Sequence, residues 1–217
     1  CPIANCTKCK STEFIGEERT FDTWMDSSVS PLFISKFNRD DEFFNKVYPV
    51  SIRPQAKDIV RTWLYYTLLR CEELTGEKPW SEAWVMGYGL DEKGMKMSKS
   101  KGNLVFVSKL LAAGRDPMAI RWALMKDHYR QDRMWTEELL VVAESEIKAL
   151  RSCLEQTNVA PTKELIENIV KALSNDLDTQ AVTTALNSWV GQTQSGEGGG
   201  DAAALTAALD ALLGIKF

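Results

Sequence analysis

The chain has 217 residues, 44% hydrophobic and 26% charged, and a formal net charge of −4, which suits a soluble globular protein with one core, or one core plus a helical appendage. The acidic balance excludes a generally basic nucleic-acid coat, so any RNA contact needs a local basic face. No apolar run approaches membrane-spanning length and the first residues do not read as a signal peptide. Five cysteines, an odd number, fit a reducing compartment better than a disulfide framework. These features set the expectation of a cytoplasmic protein with no membrane partner. Cys1 stands where a methionine would begin a chain, which raises the expectation of a fragment or processed product.

Taken in chain order, Cys6-Thr7-Lys8-Cys9 with Cys1 upstream is half of a zinc knuckle. The metal takes four tetrahedral ligands, and neither a second C-x₂-C nor a nearby histidine follows. Residues 1–20 therefore read as a zinc-knuckle-like remnant, with Cys1, Cys6 and Cys9 the candidate ligands of a structural Zn²⁺. Phe21 to Ser28 reads as a short strand passing into polar residues. Val47 to Ile52 is a compact strand candidate, and Arg53 to Asp58 its exit loop. Apolar residues at 59, 60, 63, 64, 68 and 69 predict a helix over Ile59–Leu74, with Asp58 at its N-cap and Gly76 at its stop. A further strand, Ala83 to Gly89, completes a β-α-β unit. Such units build parallel sheets with ligands at the carboxyl ends of the strands, so the 53–58 loop and the loop after Gly89 are expected to face one crevice.

That second loop, Gly89 to Asn103, carries four lysines between positions 93 and 101, interleaved with serines and bounded by glycines. Asp91 to Gly94 reads as one turn and Gly102-Asn103 as another. Small polar residues let backbone N–H groups approach an anion, and lysine ammoniums add mobile positive charge. This make-up suits a polyphosphate; a solvated basic loop is the plain alternative.

Beyond the loop, 118–126, 137–154, 163–173, 180–190 and 202–213 all show amphipathic helical spacing. Pro117 opens the first, Thr136 precedes the second, and Ser195 to Gly200 is expected to be a flexible link. Tryptophans 63, 80, 84, 122, 135 and 189 fall on apolar positions and read as core or pocket residues rather than base-stacking platforms. His128, the sole histidine, reads as a packed or helix-end residue without a carboxylate partner.

Lys96-Met97-Ser98-Lys99-Ser100 matches the KMSKS signature of class I aminoacyl-tRNA synthetases letter for letter, and Lys101-Gly102-Asn103 continues it. The resemblance implies an ATP-binding loop in which Lys96 and Lys99 are catalytic, with Met97, Ser98 and Ser100 beside them. Asp22-Thr23-Trp24-Met25-Asp26-Ser27 resembles a segment of valyl and related synthetases that lies beside the amino-acid pocket. That makes Asp22, Trp24, Asp26 and Ser27 its candidate lining. Arg53-Pro54-Gln55-Ala56-Lys57-Asp58-Ile59-Val60-Arg61-Thr62-Trp63 resembles archaeal-type valyl-tRNA synthetase. The resemblance implies that Asp58, with Gln55 and Lys57, binds the ATP ribose, although Ala56 stands where that element usually has glycine.

Residues 6–103 thus resemble the archaeal-type valyl enzyme. From 104 onward the likeness shifts to the ATP-dependent cysteine ligase of mycothiol synthesis, a relative of cysteinyl-tRNA synthetase. Leu104 to Leu110, Asp116 to Arg121, His128 to Arg133, Asn175 to Thr179 and Asp210 to Gly214 carry that second resemblance. The HIGH signature of the class has two histidines and does not occur. The implied fold is α/β: the C-terminal half of a Rossmann-type nucleotide-binding domain over 21–110, followed by a helical bundle over 111–217. The implied function is valine--tRNA ligase-like activation of an amino acid by ATP and Mg²⁺ with transfer to tRNA, this chain being an incomplete part. The alternatives are the cysteine ligase and a non-catalytic nucleotide-binding remnant.

Overall fold

A computed structural model of the chain describes residues 4–20 and 22–217. The chain divides into two compact units, Cys1–Trp84 and Val85–Phe217. Among the described residues no helix is long and apolar enough to cross a membrane.

In the first unit, the stretch expected as a strand is instead a helix, α1 (Thr23–Ser27). Asp22 decides this: its carboxylate accepts from the Trp24 N–H at 2.8 Å and satisfies one of the donors a helix start leaves open. Five residues are too few to display a 3.6-residue period, so the sequence pattern could not announce it. Two more short helices follow, α2 (Ser30–Ile34) and α3 (Asp41–Val47), the latter capped by Asp40. Leu32, Tyr48 and Cys71 form a small apolar cluster, flanked by Phe37 and Phe44.

Strand β1 runs Val50–Ala56, three residues later than expected and through most of the supposed exit loop. Pro54 argued for a boundary before it. In a two-stranded sheet, however, each strand keeps an unpaired edge where the missing proline N–H costs nothing. Lys57–Ile59 then form a 3₁₀ turn, so Asp58 lies inside this turn and not at a helix cap. A π-helical turn, Val60–Leu64, leads into α4 (Tyr65–Thr75), which ends at Gly76 with φ 74° as its sequence implied. Strand β2 (Trp80–Met86) pairs with β1. Trp63 and Trp80, both buried, stack with ring centroids 5.7 Å apart.

The second unit opens on β3 (Gly89–Leu90), which pairs in parallel with β4 (Arg133–Met134), Gly89 opposite Arg133. Gly87 makes the approach to this pairing possible: a Cβ there would lie 1.8 Å from the Gln131 carbonyl oxygen. The helices are α5 (Val107–Ala112), α6 (Pro117–Met125), α7 (Glu137–Leu154), α8 (Lys163–Ser174), α9 (Thr179–Gln194) and α10 (Ala202–Leu213). Apart from α5, all were legible in the apolar spacing. Asp116, Thr136, Asp178 and Asp201 cap four of them through side-chain oxygens. Trp122, Leu140, Ile147, Leu186, Trp189 and Leu205 lie in one core with at most 1% of their surface exposed. Burying each is worth roughly 1.5–3 kcal/mol. The link before α10 is tied down, not loose: the Gly200 N–H donates to the Val159 carbonyl at 2.9 Å, and Gly199 to Asn158 Oδ1 at 3.3 Å.

Four of the six tryptophans, at 63, 80, 122 and 189, are buried as read. Trp122 donates its indole N–H to Glu146 at 2.7 Å and Trp189 to the Ala160 carbonyl at 3.0 Å, so both of these rings have their polar handle paired.

Candidate active site

The lysine loop is built from backbone outward. Asp91 ends β3, and its Oδ1 accepts from the N–H groups of Lys93 (3.0 Å) and Met95 (2.8 Å), closing the turn that Gly94 completes at φ 71°. Lys96 returns beside Leu90 as an isolated antiparallel bridge, and the Met97 N–H donates to the Gly89 carbonyl at 2.9 Å. The Lys96 ammonium sits 5.0 Å from the centroid of the Tyr88 ring, within cation–π reach. Lys99–Lys101 form a single 3₁₀ turn, terminated by Gly102 at φ 69°. Lys99, Ser100 and Lys101 are exposed, whereas Lys96, Met97 and Ser98 are half-buried. Ser98 Oγ and Ser100 Oγ lie 3.3 Å apart.

The residue that joins these pieces, Asn103, was read from sequence as part of a turn and as the continuation of the KMSKS run, without a role of its own. Its Nδ2 donates to Asp91 Oδ2 at 2.7 Å and to the Lys96 carbonyl at 3.3 Å, and its Oδ1 accepts from the Ser98 N–H at 2.9 Å. The Asn103 amide, with the Met95 and Lys93 N–H groups, holds the Asp91 carboxyl below its usual range. Below the loop lies a cavity of about 380 Å³ whose walls include Asp91, Lys93, Met97, Asn103 and Trp135. A second, largely apolar cavity of about 170 Å³ shares Met97, Val105, Leu110 and Trp135 with it.

The first unit gathers a different set. Ser27 and Trp63 meet: the Trp63 indole N–H donates to the Ser27 carbonyl at 2.9 Å. Arg70 donates to the Trp24 carbonyl at 3.3 Å, which pins α1 against α4. The Arg53 guanidinium lies over the Trp63 ring at 4.1 Å, and burial weakens its hold on its proton. Gln55 is fully buried; its Nε2 donates to the Ala56 carbonyl at 2.9 Å, while its Oε1 has no hydrogen-bond partner. Ser27 Oγ and Arg53 Nε are likewise buried and unpartnered. Buried polar atoms are rarely left so, and three in one small unit mark places where a ligand atom would be welcome. Of the remaining expected residues, Asp22 and Asp26 are exposed on α1, Asp58 is exposed and Lys57 half-buried.

Cys6 and Cys9 stand on one tight turn, where the Lys10 N–H donates to the Cys6 carbonyl at 2.9 Å. N–H groups of Cys9 and Lys8 lower the Cys6 thiol below its ordinary value. Cys1 lies outside the described residues. Among those described, no three histidine, cysteine or acidic side chains gather as a metal site. Two described thiols fall short of the four ligands that a structural zinc takes, so the described residues alone do not make up the expected Zn²⁺ site.

His128 has the carboxylate neighbour that its sequence did not reveal. Its Nε2 donates to the Asp176 carbonyl at 2.9 Å, with Asp176 Oδ2 at 3.8 Å, and its Nδ1 accepts from the Arg130 N–H at 3.3 Å. Arg130 (2.5 and 3.0 Å) and Tyr129 (2.5 Å) also hold the Asp176 carboxylate, lowering its pKa to about 2. With both ring nitrogens paired to backbone, His128 is a packed residue, as read.

The fold is shared with a solved structure, the ternary complex of Agrobacterium radiobacter K84 agnB2 LeuRS with tRNA and LeuAMS. The likeness has a TM-score of 0.70, spans 97% of this chain and 32% of that one, and carries 16% sequence identity. The family model described as tRNA synthetases class I (I, L, M and V) matches residues 3–157, and the chain belongs to that family. Relatives of two kinds are among its matches. The valine--tRNA ligase of Methanocaldococcus jannaschii is 47% identical over 119 residues, 54% of this chain and 13% of that enzyme. The L-cysteine:1D-myo-inositol 2-amino-2-deoxy-alpha-D-glucopyranoside ligase of Nakamurella multipartita is 36% identical over 174 residues, 80% of this chain and 42% of that enzyme. The chain therefore spans about an eighth of the valine enzyme and well under half of the cysteine ligase. Both resemblances read from the sequence are present in one chain.

Proposed function

We propose that this chain is the KMSKS-bearing part of an ATP-dependent aminoacyl-tRNA ligase of the valine type. In this reading a carboxylate oxygen of the amino acid attacks the α-phosphorus of ATP. The new P–O bond forms as the bond to the β-phosphate breaks, and pyrophosphate leaves with the electron pair. A hydroxyl at the 3′ end of tRNA then attacks the acyl carbon, the ester bond forms as the acyl–phosphate bond breaks, and AMP leaves. Lys96 and Lys99 stabilise the pentacoordinate phosphorus and the departing pyrophosphate, with Met97, Ser98 and Ser100 lining the same loop. Groups aimed at charge that develops in the transition state are worth roughly 10²–10³ in rate apiece. Gln55, Lys57 and Asp58 are assigned to the nucleotide, and Asp22, Trp24, Asp26 and Ser27 to the amino acid. Magnesium accompanies the ATP, and no protein ligand set is assigned to it. The organisation proposed is a remnant over 1–20, half of a Rossmann-type domain over 21–110 and a helical bundle over 111–217, in a cytoplasmic protein.

The observation that carries this reading is the KMSKS run itself, folded with Lys99 exposed on a turn whose two flanks are fastened. Valine is favoured over cysteine on the Asp22–Ser27 and Arg53–Trp63 segments, which resemble the valyl enzymes; identity does not separate the two, at 47% with a valine enzyme and 47% with a cysteine ligase. The longer match to the cysteine ligase supports the second reading, in which cysteine is joined to an amino sugar without tRNA. With one histidine among 217 residues there is no HIGH signature here, so little turnover is expected from the chain alone.

Equilibrium titration with ATP and with sulfamoyl analogues of valyl- and cysteinyl-adenylate tests both readings. The valyl analogue should bind more tightly than the cysteinyl one, and Lys99→Ala should weaken ATP about tenfold, as loss of a charge-assisted contact does, while sparing the analogues, which carry no pyrophosphate. Preference for the cysteinyl analogue moves the assignment to the second reading. An ATP affinity indifferent to Lys99→Ala removes the loop from the site.

A further inference from the structure

The lysine loop is not uniformly held. From Gly89 to Ser98 it is fastened by the Leu90–Lys96 bridge, by Met97 N–H on the Gly89 carbonyl and by the Asp91 turn. From Lys99 to Gly102 it is one exposed 3₁₀ turn with glycine at its end. The two regimes meet at a single side chain. Asn103 uses both amide hydrogens and its carbonyl oxygen on three partners, Asp91 Oδ2, the Lys96 carbonyl and the Ser98 N–H.

We propose that Asn103 is a positioning residue: a latch that fastens the backbone of Lys96 and Ser98 to Asp91 and so holds that stretch in place independently of the exposed Lys99–Lys101 turn. The loop's part in nucleotide binding rests on the reading proposed above; the latch itself does not. Asparagine suits this place because the joint needs two donors and one acceptor on one planar group. Aspartate offers no donor at neutral pH and would face Asp91 with like charge at hydrogen-bond distance. Exchanging the pair, Asp91→Asn with Asn103→Asp, rebuilds the bridge in reverse. The amide now at position 91 would donate to the carboxylate now at position 103, and its oxygen would still accept from Lys93 and Met95. That carboxylate would still accept from the Ser98 N–H. Only the bond to the Lys96 carbonyl is lost.

Limited trypsin digestion of the full chain reads the latch without any nucleotide. Lys99 and Lys101 should be cut quickly and Lys96 slowly. Asn103→Ala should raise the cut at Lys96, relative to that at Lys101, about tenfold, the factor expected when a charge-assisted hydrogen bond is removed. Asn103→Asp should raise it further, and the double exchange should return it to within about threefold of the starting ratio. Cuts at Lys148 and Arg151, inside α7, should not change. An unchanged Lys96 ratio overturns the latch. A double exchange no better than Asn103→Asp overturns its chemistry, and equal acceleration at Lys148 makes Asn103 a general stabiliser and overturns it too. ATP titration of the same variants separates the two proposals. Altered proteolysis with unaltered ATP affinity keeps the latch and sinks the nucleotide role of the loop.

Discussion

The helical core of the second unit and the lysine loop attached to it are held by opposite kinds of force. The core, from Trp122 to Leu209, is apolar, almost fully buried and made of many contacts that each carry a small share. The loop has half-buried backbone, exposed ammoniums and a few directional bonds that converge on Asn103 and Asp91. The difference teaches where motion is available. Removing one contact from the core leaves a cavity among many remaining contacts, whereas removing one carboxamide from the loop releases several backbone groups together. A segment that must close on a ligand is drawn from the weakly held end of this range.

Four experiments break or sharpen that contrast. The largest effect on stability should come from the core: Ile147→Ala should cost about 2–5 kcal/mol in chemical denaturation, with the trypsin pattern of the lysine loop unchanged below the transition. Gly87→Ala tests the junction between the regions, since its Cβ would overlap the Gln131 carbonyl. A loss of about 1–3 kcal/mol is expected, together with faster cleavage at Lys96, because β3 would no longer sit beside β4.

The third is a pH experiment on Asp176, whose carboxyl is depressed to about 2 by Arg130 and Tyr129. A carboxylate with a lowered folded pKa contributes fully above its unfolded pKa, near about 3.9, and loses that contribution as pH falls through the folded value. Stability of the wild type relative to Asp176→Asn should therefore be constant above about pH 4 and decline between about pH 4 and about pH 2. A difference that stays flat across that window would mean the pairing does not operate. The smallest stability effect should be that of Lys99→Ala, within about 0.5 kcal/mol for an exposed side chain. Its consequence belongs to ATP binding and turnover rather than to stability, and a large fall in the unfolding midpoint would place Lys99 in the structure rather than at its mouth.

The long helices were open to reading because burial on one helix face imposes a period that many residues share. Glu137–Leu154 and Ala202–Leu213 come out at the bounds their spacing implied. Short elements were not. One capping bond made a helix of Thr23–Ser27 where aromatic and polar residues looked like a strand. An edge position let β1 run through Pro54. Asp58, given the role of a cap, sits within a 3₁₀ turn because the strand before it is longer than the pattern suggested.

The site divides in the same way. Local chemistry determined by the sequence itself includes the ordered lysines and serines of 96–100, the turn glycines at 94 and 102, and the cysteine pair at 6 and 9. Each depends on neighbours a few positions away. What only the tertiary structure decided is what reaches across the chain: Asn103 to Asp91, His128 and Arg130 to Asp176, and Gly87 beneath Gln131. Those pairings are set by how packed helices and a parallel strand pair bring distant residues within hydrogen-bond distance, and no periodicity records that.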